Sequence, residues 1–228
     1  MYPFFYDPTF LLLLPVFAFS IWAQYRVKQT FEKYSKVASI RGLTGRDAAA
    51  GILSASGLGN IKIENIRGEL TDHYDPRSGT LRLSDSTAES RSVAAIGVAA
   101  HEAGHAIQHA NGYKPFEIRQ AIVPVAQFGT TLAFPLFIMG LIFTIPRLMD
   151  FGIILFTGAV VFQLVTLPVE FDASSRALKL LRNNGYLAGE EINYAKKVLD
   201  AAALTYVAAT AAAVVNLIRL LILRGSRD

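Results

Sequence analysis

Cysteine is absent from all 228 residues. No disulfide framework can therefore hold the chain, and the composition is compatible with a cytoplasmic face. Gly-rich linkers and internal repeats are also missing, which leaves nothing that reads as a flexible tether or a solenoid. Charge is scarce inside the apolar runs, essentially Arg219 alone, and this argues against an ion or solute path through them. Histidine is rare too. Only four occur, His73, His101, His105 and His109, and three of them fall within nine residues.

What is abundant is apolar sequence. Hydrophobic residues make up 52% of the chain, and four runs approach or exceed the roughly 20 residues needed to cross a hydrocarbon core: 9–25, 121–145, 151–167 and 201–223. Only Asp7 among charged residues precedes the first run, and no small-x-small cleavage site follows it, so an uncleaved anchor is expected. Arg26, Lys28, Lys33, Lys36 and Arg41 crowd its C-terminal side. The positive-inside rule then puts the N-terminus outside and the next segment in the cytoplasm. The second and third runs read as a hairpin with an external turn over Pro146–Asp150. Residues 168–200, with Arg176, Lys179, Arg182, Lys196 and Lys197, return to the cytoplasm. Arg224 and Arg227 fit this scheme poorly, because a fourth crossing leaves them outside; the last run is thus either a span or an alanine-rich core helix. These flanking charges account for a pI near 9.3 without calling for nucleic acid.

Against that background stands His101-Glu102-Ala103-Gly104-His105. It reads H-E-x-x-H within an alanine-rich stretch, 92–108, expected to be helical. Residues four apart share a helix face, so two imidazoles at this spacing can hold one zinc ion, with Glu102 beside it as general base. The small Gly104 leaves room for another backbone. The plain alternative is a helix with two ordinary surface histidines. His109 lies one turn further along and reads as a third ligand, a group supporting the ligands or a solvated residue past the helix end; three rings along one straight helix make a poor tetrahedral cage, which favours the last.

Catalytic zinc usually takes three protein ligands and keeps one position for water. The downstream carboxylates are few: Glu117, Asp150, Glu170, Asp172, Glu190, Glu191 and Asp200. Glu190, Glu191 and Asp200 read as a solvated helix, and Asp150 as part of the external turn. Glu170 directly follows an apolar run, and Pro168 is well placed to start a helix there. Glu170, Ser174 and Ala177 then share one face, whereas Asp172 reads as an exposed charge or an i, i+4 partner of Arg176. Glu170 is the candidate third ligand.

Residues 26–91 read as a small polar domain: a helix over 44–57 capped by Thr44, a strand through Ile61, Ile63 and Ile66, a turn at Asp75–Gly79, and a second strand, Thr80-Leu81-Arg82-Leu83-Ser84. That second strand is the candidate edge for pairing with an extended substrate backbone; the alternative is a structural strand. Asp85, Ser86 and Thr87 read as the loop into the motif helix. His73, Tyr74 and Arg176 are candidate donors to the oxyanion of a tetrahedral intermediate; alternatively, residues 72–75 form a hydrogen-bonded turn.

HEAGHAIQH, preceded by LTDHYDPRSGTLRLS and followed by EFDASSRA, resembles the YugP-like membrane zinc metallopeptidases of bacteria. The layout is also similar to HtpX-like proteases, which carry H-E-x-x-H and a later Glu-x-x-Ala-Asp. Glu170 and Ala173 match that second motif, and Ser174 stands where those proteases have Asp. The resemblance implies Zn²⁺, proteolysis and four spans. The expected architecture is mainly α: an integral membrane helical bundle with a small α+β zinc-peptidase-like cytoplasmic part. It divides as an anchor (1–25), a catalytic part (26–120), a transmembrane hairpin (121–167), cytoplasmic helices with the third ligand (168–200) and a C-terminal apolar helix (201–228). The expected partners are a peptide or membrane-protein substrate and the bilayer, with the site near the membrane surface on its cytoplasmic side. The competing expectation is a non-catalytic, zinc-stabilised membrane scaffold or adaptor.

Overall fold

A computed structural model describes residues 8–226. Residues 1–7 of the expected anchor, Asp7 among them, and Arg227 lie outside the described residues. After a short 3-10 turn at Pro8–Leu12 come α1 (Leu13–Tyr34), α2 (Gly45–Ala55), β1 (Lys62–Ile66), β2 (His73–Asp75), β3 (Thr80–Ser84), α3 (Asp85–Ala88), α4 (Val93–Ala110), α5 (Lys114–Ile142), α6 (Pro146–Asn183) and α7 (Glu190–Gly225). The architecture is mainly α with one three-stranded sheet. By packing, the chain divides into two units: Met1–Gln24, Ile118–Leu167 and Thr205–Asp228, and Tyr25–Glu117 with Pro168–Leu204.

The first unit is built from apolar helix segments that expose what a soluble helix would bury. Four helices are long and apolar enough to cross a membrane, yet only between 6% and 33% of their most apolar windows is buried. Phe17, Phe128, Phe151 and Ile154 are among the exposed side chains. Exposed apolar surface on this scale needs lipid as its solvent. The buried core is small, centred on Phe137, Met149, Ile153, Phe156 and Leu220. In its place, close backbone approach joins α5 to α6. A Cβ on Gly152 would stand 2.7 Å from the Ala133 carbonyl oxygen, and one on Gly129 would stand 2.8 Å from that of Leu155. Small residues at a crossing are how membrane helices gain packing without a hydrophobic driving force.

The hairpin turn is 143–145 rather than the expected Pro146–Asp150. Pro146 opens α6, where its missing N–H costs nothing, and Thr144 takes the left-handed conformation at φ 53°. Asp150 is therefore helical. It accepts from the Arg224 guanidinium of α7 at 2.7 Å, so Arg224, which fits the charge rule poorly, lies at the hairpin end of this unit.

The second unit holds the sheet and the alanine-rich helices. Thr44 caps α2 through a capping box, its hydroxyl accepting from the Asp47 N–H while Asp47 accepts from the Thr44 N–H. The strand order is β1-β3-β2, with β3 parallel to β1 and antiparallel to β2. Thr80–Ser84 is thus the central strand. Both of its edges are already hydrogen-bonded, so it cannot pair with a substrate; β1 and β2 are the edges. Asp85–Ala88 forms a helical turn instead of a loop. Asp72 secures this corner by accepting from the Ser84 N–H, the Ser84 hydroxyl and the Thr87 hydroxyl.

Two further expectations change. Pro168 does not start a helix: α6 runs unbroken from Pro146 to Asn183, since proline is tolerated inside long membrane helices where other groups satisfy the freed backbone. Glu190, Glu191 and Asp200 belong to the same helix as the last apolar run, and Glu191 is not solvated. Only 6% exposed, it accepts from the backbone N–H groups of Ile40 and Ala188 at 2.7 and 3.0 Å.

The α5–α6 crossing yields a paired test. Gly152→Ala forces a methyl against a carbonyl, and overpacking of this kind costs about 1–3 kcal/mol. Gly158→Ala, on the same helix with nothing within 4 Å of its Cβ, is expected to be neutral or mildly stabilising. Thermal unfolding in detergent is expected to separate the two, with only the first lowering the midpoint.

Candidate metal centre

The site forms where α4 meets the residues of α6 that follow Pro168. Ser92 caps α4, its hydroxyl accepting from the Ala95 N–H at 3.2 Å. Half of the helix is alanine and glycine, and it is buried almost throughout. A Cβ on Gly104 would lie 2.8 Å from the Ala173 carbonyl oxygen. Glycine between the two motif histidines therefore lets α6 approach α4 backbone to backbone.

That approach brings His101, His105 and Glu170 together. Glu170 Oε2 lies 3.2 Å from His101 Nε2 and 3.6 Å from His105 Nε2. Its side chain is 2% exposed, against 13% and 9% for the two rings. The rings meet edge to face with centroids 4.7 Å apart. Ligands at about 2.0–2.1 Å from zinc in a tetrahedral arrangement stand roughly 3.3 Å from one another, and the two observed separations bracket that figure. The donor set, two imidazoles and a carboxylate, suits the same ion.

Each ring is also held from behind. His101 Nδ1 lies 3.1 Å from Ser174 Oγ, so the serine that replaces an aspartate of the HtpX-like motif still reaches the ring. His105 Nδ1 lies 3.0 Å from Gln108 Oε1. The Gln108 amide in turn donates at 2.8 Å to both the Val169 carbonyl and Asp172. Asp172 also accepts from Arg176, whose guanidinium sits 5.5 Å from the centre of the Tyr113 ring. Partners on the far nitrogen fix which nitrogen faces a metal.

Glu102 is the second carboxylate here. Ligand atoms of His101, Glu102 and His105 all lie within 4.8 Å of one another. Glu102 Oε2 accepts the Tyr74 backbone N–H at 3.1 Å. Burial pushes its carboxyl up to about 7, with His101 opposing the rise and Glu170 and Asp72 adding to it. Two carboxylates thus flank the histidine pair, one facing both Nε2 atoms and one tied to the edge strand β2.

The other expected residues are placed unevenly. Tyr74 reaches the site through its backbone, and its hydroxyl pairs with His109 Nδ1 at 3.0 Å. His109 is exposed but not merely solvated, since its ring also lies against Phe116 at 5.6 Å. His73 points to the opposite face of β2, where Nδ1 meets the Thr71 carbonyl and Nε2 faces Arg82. Arg82 joins Asp75 and Glu64 on that face, and its guanidinium holds the Asp75 carboxyl well below the usual range. Arg176 is occupied by Asp172 and Tyr113. Gln108 escaped the reading of the motif, although its i+3 spacing from His105 puts it on the same helix face.

Comparison with known proteins points to zinc as well. A family model described as "Putative neutral zinc metallopeptidase" matches residues 9–225. The chain is 46% identical over 218 residues to the "Putative membrane protease YugP" of Bacillus subtilis (strain 168), covering 95% of this chain and 97% of that one. No solved structure matches it.

The rear supports give two expectations, both read by competition with a chromogenic chelator. Gln108→Leu is expected to weaken zinc binding by about 10–100-fold, the usual cost of losing such a partner. Gly104→Ala is expected to weaken it as well, by forcing α6 and Glu170 away from α4, whereas Gly59→Ala, far from α4 in sequence and with a Cβ that would meet only Ser54 at an ordinary 3.8 Å, is expected to leave zinc affinity unchanged.

Proposed function

The chain belongs to the neutral zinc metallopeptidase family, and from that premise we propose that it hydrolyses peptide bonds of membrane-associated substrates, with His101, His105 and Glu170 holding the zinc and Glu102 acting as general base. The observation that carries the reading is the convergence of both Nε2 atoms on one Glu170 oxygen while both Nδ1 atoms are held by Ser174 and Gln108.

Glu170 is the better ligand of the two carboxylates because its oxygen faces both rings. Glu102 is the better base because it sits beside them, anchored by the Tyr74 amide rather than aimed between the rings. When bound, zinc supplies a Lewis acid that polarises the scissile carbonyl and brings an attacking water to a pKa of about 7. Glu102 takes the proton released by that water as its oxygen attacks the carbonyl carbon. It returns the proton to the leaving amine nitrogen as the C–N bond breaks. Ser174 and Gln108 keep the imidazoles oriented throughout.

The extended substrate lies along β2, the edge strand nearest Glu102, in place of the buried β3. Of the three candidate oxyanion donors, Tyr74 is best supported, since its own backbone N–H reaches Glu102, whereas His73 faces Arg82 and Arg176 is held by Asp172. Four membrane-length helices and the name of the Bacillus relative support a membrane protein that crosses the bilayer several times. The basic residues after the first apolar run and around Arg176 support a cytoplasmic site. Glu170 follows the apolar run of its own helix by three residues, which supports substrates held close to the bilayer.

Two variants divide the roles. Glu102→Gln is expected to lower cleavage of a quenched peptide by about 10²–10⁴-fold with zinc retained; undiminished cleavage refutes the base assignment and zinc-independent activity refutes the peptidase mechanism. Glu170→Ala is expected to lose zinc where Glu102→Ala keeps it. The reverse order would exchange the two carboxylates. A wild-type protein that binds zinc but cleaves no peptide would favour the scaffold.

A further inference from the structure

Away from the metal centre, α1 and α7 enclose a cleft of about 430 Å³. None of the metal-centre residues lines it. Its rim carries Arg26 and Lys33 from α1 and Lys197 from α7, with Gln29, Thr30 and Asp200 between them. Among the described residues none of the three cations has an acidic partner, and the one carboxylate is already paired, Asp200 accepting from Lys196. The cleft is therefore a net cationic site with hydrogen-bond donors in its walls.

The cleft is built on ordered packing. Tyr34 and Tyr194 stack with centroids 5.0 Å apart and join the two helices. Lys33 Nζ lies 5.4 Å from the Tyr34 ring and Lys197 Nζ lies 5.7 Å from the Tyr194 ring. The ammonium groups are thus held over the aromatic pair, against the cost of ordering long side chains. Thr30 is 8% exposed, so its hydroxyl sits in the wall of the cleft and not on open surface.

Position along the chain identifies the ligand. Arg26 directly follows the first apolar run, and Ala201 and Leu204, which complete the lining, open the last one. On both helices the cleft falls where sequence passes from apolar to basic. That is the level at which a phospholipid presents its phosphate. The volume lies within the roughly 300–1,000 Å³ of small-molecule sites, too large for a lone ion and suitable for a glycerophosphate headgroup. We propose that this cleft binds the phosphate-bearing headgroup of an anionic phospholipid, through Arg26, Lys33 and Lys197. The inference is independent of the peptidase reading.

Full-length protein in nanodiscs of phosphatidylcholine with increasing phosphatidylglycerol provides the test, with retained lipid counted by native mass spectrometry. Wild type is expected to retain phosphatidylglycerol over phosphatidylcholine. The triple variant Arg26→Gln, Lys33→Gln, Lys197→Gln is expected to bind it about a hundredfold more weakly, at roughly fivefold per basic residue. Retained zinc checks that the variant is folded, and Lys197→Gln alone is expected to show the single-residue drop if the triple variant does not fold. Lys28→Gln with Lys36→Gln, neither of which lines the cleft, is expected to change nothing; a drop equal to that of the triple variant would mean bulk charge and overturn the proposal. Equal retention by wild type and triple variant would overturn it as well. Displacement of the lipid by millimolar inorganic phosphate would assign the site to free phosphate instead and refute the lipid headgroup.

Discussion

The contact between Gly104 and the Ala173 carbonyl is the constraint on which the rest of the second unit depends. Helices with ordinary side chains at their crossing stand about 8–10 Å apart. A glycine on one and an alanine on the other remove that spacing, and only then can a carboxylate on α6 reach imidazoles on α4. The same economy shapes all of α4. Its alanines are not a weak core but the means by which neighbouring elements come near, as at Gly97, where a Cβ would touch that of Ala195. The motif helix is consequently buried on nearly every side, and its motif side chains are oriented by neighbours rather than by solvent.

The same contact explains which parts of the site could be read in advance. His101, Glu102 and His105 follow from helical periodicity, which is local. Glu170 could be chosen because few carboxylates compete with it and because its helix position aligns it with Ser174. Gln108 is not legible in the motif for a physical reason: an amide carries no charge, so its role emerges only from the Val169 carbonyl and Asp172 that it meets across the helix crossing. The reading of β3 as an edge failed because strand order is a tertiary property. The run TLRLS has the alternation of an edge strand, yet Leu81 and Leu83 are fully buried and both backbone edges are paired. Pro168 misled because the rule that starts helices at proline assumes a chain free to begin there, whereas α6 arrives already helical.

Charge placement in the first unit shows a related limit. Counting basic residues beside each apolar run predicts orientation but says nothing of who neutralises whom. By charge counting Arg224 reads as misplaced, because Asp150 reads as part of a turn. As a helical residue, Asp150 supplies the countercharge, and the pair closes the end of a bundle whose buried core is otherwise thin. Glu191 shows the reverse case: an acidic residue at a helix start reads as solvated, but here it satisfies two backbone donors that would otherwise be left unpaired.

The donors of the metal centre are separated by 65 positions of chain, from His105 to Glu170, and the intervening stretch includes the whole hairpin of α5 and α6. During synthesis the two imidazoles are therefore complete long before their carboxylate exists. A nascent chain carries the histidine pair without Glu170, and the candidate centre assembles only after the apolar arms of the hairpin have been made. Connectivity alone thus orders events: the three donors can meet only once the chain has been made past the hairpin turn and through the apolar part of α6.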